Sequence, residues 1–247
     1  MGTLGFHLVV FAVGLVAGFL NVMAGGGSLI TLPVLLFLGL PVAVANGTNR
    51  IAILVQNVAA VTSFRRQGYA EFRIGLPFAL TTVPGAVAGA LVAIRVAEGT
   101  FRVILAGVMV LAVVGLLFPA RRSGGVAGPT PRARAVAFLS FFAIGFYGGF
   151  IQAGVGFLLM LVLHQLLRID LVRVNMHKVF VVLVFSLPAL AVFVVTGNVD
   201  WRTGAVLATG NAMGAVVATR VSVKGGERPI RIVVAVALLL MAVRLVW

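Results

Sequence analysis

The chain has no cysteine, and it carries only five acidic residues against nineteen Lys and Arg in 247 positions. Without thiols there is no disulfide framework and no thiolate metal site. The five carboxylates, Glu71, Glu98, Asp170, Asp200 and Glu227, all fall in polar punctuation between apolar runs. No pair of them is placed for general acid–base work, and none is an intramembrane acid that would couple transport to protons or sodium. The three histidines, His7, His164 and His177, are not at metal-ligand spacing, and Ser28 has no base beside it in the sequence. Nothing here calls for a cofactor, a metal or an enzyme's catalytic cluster. A polar stretch long enough for a soluble domain is also missing. The longest, "RRSGGVAGPTPRAR" at 121–134, is a linker rich in Gly, Pro and Arg. No basic region precedes Leu4, so the first apolar run reads as a retained segment rather than a signal peptide.

What is abundant is apolar surface. Hydrophobic residues make up 62% of the chain and charged residues 10%, with a mean hydropathy of +1.19, far from the profile of a soluble domain. Uncharged runs at 4–24, 51–64, 74–94, 103–120, 135–153, 179–199, 203–219 and 232–243 approach or reach the roughly 20 residues that cross a bilayer core. The net charge of +14 would suit nucleic acid only if it gathered on one solvated face. Here the basic residues punctuate apolar segments, so their electrostatic partners are membrane lipid head groups and a small anionic substrate, not nucleic acid.

The chain repeats itself at a shift of 129 residues. "GYAEFRIG" at 68–75 matches "GNVDWRTG" at 197–204, and the same register pairs Asn46 with Asn175, Gly85 with Gly214 and Arg95 with Lys224. With two residues of slippage "GLVAGFLN" at 14–21 matches "GFYGGFIQ" at 145–152, and Gly25 and Gly27 fall on Gly154 and Gly156. The loop charges give the relation between the halves. Arg50 and Lys178 belong to apolar segments and stand apart. If the repeats are inverted, Arg65, Arg66, Arg73, Arg121, Arg122, Arg132, Arg134, Arg168, Arg173, Arg220, Lys224, Arg228 and Arg231 share one side, against Arg95, Arg102, Arg202 and Arg244 on the other. If they are parallel the bias vanishes. The expected fold is therefore an all-α polytopic membrane protein of two inverted-topology repeats, with 8–10 membrane segments and glycine-broken helices. Its parts are a first repeat at 1–120, a cytoplasmic linker at 121–134 and a second repeat at 135–247. The cytoplasmic loops would be 65–73, 121–134, 168–173 and 220–231. Whether 28–40 and 157–167 cross the membrane or re-enter it stays open at this stage.

The break itself, "NVMAGGGSLITLP" from Asn21, occurs once per half. One reading is close helix packing of the small-xxx-small kind. The other is a broken helix at membrane depth, tolerated only where it is buried in protein or lines a polar cavity. Inverted repeats with such breaks build the substrate sites of secondary transporters. In that reading the N–H groups after Gly25, Gly26, Gly27 and Ser28, and after Gly154 and Gly156, cradle an anion. Asn21, Gln152, Asn46 and Asn175 orient it, Arg50 and Lys178 neutralise it, and Thr48, Asn49 and His177 are hydrogen-bonding neighbours. The competing reading of Arg50 and Lys178 is that they sit at helix ends and snorkel to the head groups. Gln56 and Asn57 could touch substrate or tie helices together. Glu71 with Arg73, and Asp200 with Arg202, are expected to fix the loops, with Phe72 and Trp201 as interfacial anchors.

In "GFLNVMAGGGSLITLP", "ANGTNRIAIL", "GYAEFR" and the weaker second copies "GGFIQAGVGF" and "VNMHKVFVVL", the chain resembles the sulfite exporter TauE/SafE family of bacterial membrane proteins over essentially its whole length. The resemblance implies a multi-pass protein of the bacterial inner membrane that moves small anions, often outward. In the best-known cases these are sulfur oxyanions and organosulfonates such as sulfite or sulfoacetate. Alternating access is the mechanism implied by the repeats, with an uncoupled channel or facilitator as the alternative. Coupling ion and oligomeric state are not legible in the sequence.

Overall fold

A computed structural model describes residues 3–117, 131–226, 228–230 and 232–233. Residues 118–130 of the linker region and all but the first two residues of the apolar run at 232–243 lie outside the described residues, as do Glu227, Arg231 and Arg244. The described residues form helices and no strands. In chain order these are α1 (Thr3–Met23), α2 (Ser28–Phe37), α3 (Val42–Arg66), α4 (Phe72–Ala93), α5 (Glu98–Leu117), α6 (Pro131–Phe150), α7 (Val155–Leu161) with a π-helical turn at Val162–Leu166, α8 (Leu171–Val195) and α9 (Trp201–Gly225). The protein is an all-α polytopic membrane protein: α1, α4, α8 and α9 each contain a stretch long and apolar enough to cross a bilayer.

The repeat carries through to the elements. α3 and α8 are both 25 residues long, and the 129-residue shift maps the bounds of one onto the other. The same shift puts the residue capping α4, Glu71, on the residue capping α9, Asp200. The N-terminal polar run "ANGTNR", which lies ahead of the apolar stretch at 51–64, is drawn into α3 rather than into a loop. Helical periodicity wins there because each polar side chain finds a partner inside the bundle.

Pairwise packing fixes the directions. Against α9, α1 places Phe11 by Gly210, Gly14 by Leu207 and Asn211, and Phe19 by Gly214, so the two run side by side in the same sense. Likewise α4 places Thr82 by Gly145, Ala86 by Gly149 and Gly89 by Phe150 of α6. Stripes of glycine four residues apart let these backbones meet closely, which is how helices associate where lipid removes the hydrophobic drive. The start of α3 meets the start of α9, through Thr48 and the Asp200 amide, and Ser63 meets Thr219 at their far ends. The starts of α4 and α8 meet through Gly75 and His177 and through Phe72 and Phe180. By contrast Gly47 and Arg50, early in α3, lie against Phe193 near the end of α8, so these two helices run oppositely.

The short runs after the breaks return. In α2, Gly27 lies against Ala17 and Asn21, while Leu35 and Leu36 share a cluster with Val10 and Phe6. Thus α2 runs back along α1 as a hairpin, and its 10 residues rise only about 15 Å, half a bilayer core. The stretch at 155–166 does the same beside α6, because α8 begins at the end of the bundle where α4 and α6 begin.

Two surface expectations change. Phe72 is buried, stacked on Phe180 at 5.0 Å between ring centroids, and only Trp201 is exposed as an anchor would be. Glu71 is paired not with Arg73 but with Arg173, Nε to Oε2 at 3.1 Å, because the α4 and α8 starts are neighbours in space. Asp200 turns inward on its own helix, accepting from the Arg202 and Thr203 amides at 3.0 and 3.2 Å.

Candidate functional site

The two breaks cross at the centre of the bundle. Gly25 has φ +88° and Gly154 φ +74°, in the left-handed region that a side chain resists. A Cβ on Gly25 would collide with the backbone of Gly156, and one on Gly156 with the backbone of Gly25. Only glycine at both positions lets the hairpin tips touch. Gln152 shares the unusual geometry with φ +59°, a strain of about 1–3 kcal/mol for a residue with a side chain. Its amide nitrogen donates to Ser186 Oγ at 3.0 Å, while its buried oxygen has no protein partner.

Where each helix breaks, its last carbonyls lose their intrahelical partners. The two halves cap each other. Arg50 of α3 donates from Nη1 to the Gly148 carbonyl at 3.1 Å and from Nη2 to the Gly149 carbonyl, and Asn46 donates to the Phe150 carbonyl at 2.8 Å. All three acceptors are at the end of α6. From the other half, Lys178 of α8 donates to the Val22 carbonyl at the end of α1, at 2.6 Å, and to Asn175 Oδ1 at 2.8 Å. A cation at a helix C-terminus is also favoured by the helix dipole. Arg50 is 0% exposed and Lys178 2%, in helix interiors, so neither snorkels. The described ion pairs join Arg173 to Glu71 and Asp170; Arg50 and Lys178 are held by carbonyl and amide oxygens instead.

Beside the crossing lies a polar cavity lined by Asn21, Ser28, Gln56, Asn57, Gln152, Gly156 and Lys178, with Ile53, Val155, Val179 and Val182 as its apolar wall. The space open to the centre of a water molecule is about 10 Å³, room for about one water. An ammonium has three donors, and two of those of Lys178 are taken by Val22 and Asn175. Gln56 Oε1 receives the amides of Asn21 at 3.3 Å and Asn211 at 3.2 Å, so it both ties three helices together and faces the cavity. Asn57 donates to the Ile53 carbonyl at 2.7 Å.

The remaining residues singled out in the sequence surround this cavity without lining it. Asn49 accepts from Thr31 Oγ1 at 2.6 Å and reaches Ser28 Oγ at 3.4 Å, fixing α2 against α3. Thr48 accepts from the Asp200 amide at 2.9 Å, near the start of α3. His177 is buried against Gly75 of α4 with Nδ1 unpartnered. Gly26, Gly27 and Gly154 are the backbone of the breaks. Two residues with no sequence reading of their own join the site, Ser186 and Asn211. Ser186 is where the 129-residue shift puts Asn57, so the repeat carried that signal. Asn211 is the lone amide in the small-residue run "ATGNAMG".

The chain is similar to membrane transporter proteins over nearly its whole length. The chain is 30% identical over 249 residues to "Probable membrane transporter protein ORF9" of a Sinorhizobium species, covering 99% of this chain and 95% of that one. It is 27% identical to a "Probable membrane transporter protein" of Haemophilus influenzae, over 97% and 94% of the two chains. It is 28% identical to "Probable membrane transporter protein YfcA" of Escherichia coli K12, over 97% and 89%. No solved structure matches the chain. The family described as "Sulfite exporter TauE/SafE" matches residues 10–245, so the chain, a multi-pass membrane protein with a buried polar cavity at two broken helices, belongs to the sulfite exporter TauE/SafE family of membrane transporters.

Proposed function

We propose that this protein is a secondary transporter, not an enzyme, that exports a small anion, a sulfur oxyanion or organosulfonate such as sulfite or sulfoacetate, across the bacterial inner membrane by alternating access. The observation that carries this reading is the cavity at the crossed breaks, which offers an ammonium, two amide pairs and a hydroxyl to a ligand and no carboxylate among the described residues. A small anion is the ligand such a lining favours, because a buried unpaired cation is costly and an anion relieves that cost. Lys178 meets the substrate, Asn21, Gln56, Gln152 and Ser28 orient its oxygens, and Arg50 acts through the α6 backbone it caps.

Alternating access is supported by the helix directions. With α1, α3 and α9 running one way and α4, α6 and α8 the other, α1, α3 and α4 are antiparallel to their counterparts α6, α8 and α9, and each half has a returning hairpin followed by crossing helices. That is the inverted-repeat plan of secondary transporters. The same directions bring Arg65, Arg66, Arg73, Arg132, Arg134, Arg168, Arg173, Arg220 and Lys224 to one end of the bundle, which we assign to the cytoplasm. A cavity with room for about one water suits an occluded state between two open ones.

The test is a thermal-stability titration of the purified protein with sulfite, thiosulfate, sulfoacetate, sulfate and chloride at constant ionic strength, followed by flux in proteoliposomes. One sulfur anion should raise Tm in a saturable binding isotherm and show counterflow against itself. Lys178→Met should lose both responses and Lys178→Arg keep part of them. A channel would give non-saturating flux without counterflow, and the absence of a shift with every anion would overturn the anion reading.

A further inference from the structure

Two buried polar contacts join α3 and α9 between the central cavity and the basic end of the bundle, with the fully buried Ala60, Ala215 and Ala218 packed between them. The first joins Gln56 and Asn211. Two turns further, about 10 Å along the helix, Ser63 Oγ pairs with Thr219 Oγ1 across the helices, and both residues are buried. Gln67 folds back over this pair, donating to Ser63 Oγ at 3.2 Å and to its carbonyl at 3.1 Å. Immediately outside opens a cavity with about 570 Å³ of space open to water, lined by Thr62, Arg66, Gln67, Arg220 and Lys224. These cations are exposed, and the ion pairs described elsewhere do not involve them.

The equivalent seam in the other half, between α8 and α4, has lost this chemistry. The 129-residue shift puts Val192 at the position of Ser63, Ala90 at Thr219, Val195 at Arg66 and Leu91 at Arg220. Ala90 there is fully buried in the largest apolar cluster. The hydroxyl pair is confined to the α3–α9 pair, and of its three mouth cations only Lys224 has a basic counterpart, Arg95.

We propose that the α3–α9 seam is the path by which small anions pass between the basic end and the central cavity. Arg66, Arg220 and Lys224 form a recruiting vestibule, and Ser63, Gln67 and Thr219 form the constriction. Exposed cations attract an anion without trapping it, since each such contact is worth about 1 kcal/mol or less, while together they raise the local anion concentration. The hydroxyls and the amide can replace lost water as the anion squeezes past, and they reseal on one another. The proposal rests on the transporter reading above.

Because the chain has no cysteine, Ser63→Cys gives a unique thiol at the constriction, and Thr219→Cys gives one from the opposite wall should the first not purify as a monodisperse species. In nanodiscs, its rate with the anionic reagent 2-sulfonatoethyl methanethiosulfonate is measured against that with neutral N-ethylmaleimide. Neutralising the mouth with Arg66→Gln, Arg220→Gln and Lys224→Gln should lower the anionic-to-neutral ratio about tenfold, and Ala90→Cys, fully buried at the position equivalent to Thr219, should react with neither. An unchanged ratio, or an Ala90→Cys rate equal to that of Ser63→Cys, overturns the path. These rates do not depend on the substrate, so they stand if wild-type protein moves no sulfite, an outcome that would instead sink the transporter reading. If wild type does move sulfite, full modification of Ser63→Cys must block that flux, and persistent flux overturns the path.

Discussion

α3 and α8 are one helix written twice, and they have been given different work. Both are 25 residues long, and both send a cation across to cap the other half's broken helix. Yet α3 follows its capping Asn with Asn49 and Arg50, then Gln56, Asn57 and Ser63, where α8 has Lys178 and Val179, then Phe185, Ser186 and Val192. The shared part is backbone geometry. The divergent part is which face carries polar atoms, and it turns a near-symmetric scaffold into a molecule with one polar route and one sealed one. Symmetry of fold sets where the breaks cross, and asymmetry of side chains sets what the crossing can hold.

The sharpest way to break the comparison is at the point where the halves touch. Gly25→Ala combines a left-handed φ with a collision against the Gly156 backbone, and Gly156→Ala makes the reciprocal collision. Neither neighbour is a flexible side-chain end that could move aside. Both variants should fail to give a monodisperse peak on size-exclusion chromatography, whereas Gly39→Ala, also at positive φ but with open space around it, should purify with only a modest loss of Tm. Equal behaviour of all three would mean that the tips do not meet as described.

The next contrast is between the two caps. Arg50→Met leaves the Gly148 and Gly149 carbonyls without their donors in a buried site, at about 1–3 kcal/mol for each unsatisfied group. It also removes the guanidinium stacked 4.7 Å over Phe193. Lys178→Met orphans the Val22 carbonyl and one amide oxygen, but it sits at a cavity that water can enter. Arg50→Met should therefore lower Tm several degrees further than Lys178→Met, while Lys178→Met alone loses the anion response in protein that still folds. The reverse order in Tm would mean that Lys178 is the main structural clamp and Arg50 the substrate-facing cation.

Much of this was legible in the sequence because duplication prints every feature twice. The all-α membrane fold follows from the apolar runs and the breaks from their glycines, whereas the runs at 51–64 and 179–199 miss the starts of α3 and α8, where polar residues join the helix. Partners were the illegible part. Arg50 and Lys178 stand out as charges in apolar segments, but nothing local says that their donors end on carbonyls about 98 and 156 residues away. Thr48 sits in the same short motif as Asn49, yet the step of about 100° between adjacent helical residues separates a residue fixing α2 from one fixing the α9 cap. Phe72 and Trp201 are paired by the repeat and parted by burial, because α8 places Phe180 over the first. Pattern reads the face of a helix, and the neighbour that meets that face comes from the tertiary fold.

The smallest contrast is at the equivalent caps of α4 and α9. Asp200 accepts from the amides of Arg202 and Thr203 and from Thr203 Oγ1 at 2.8 Å, so it satisfies N–H groups that a helix start leaves orphaned. Glu71, one methylene longer, makes no such bond to its own helix and reaches instead for Arg173 between side chains that are 51% exposed. Solvent screens that pair. Asp200→Ala should cost about 1 kcal/mol, read as a Tm decrease that salt does not change. Glu71→Ala should cost about 0–1 kcal/mol, and what it does cost should fade as ionic strength rises and the Debye length shrinks. The single variant Glu71→Asp should behave as Glu71→Ala does unless the shorter acid turns back onto the α4 amides, in which case its stability would become insensitive to salt and the first half would have acquired the cap of the second.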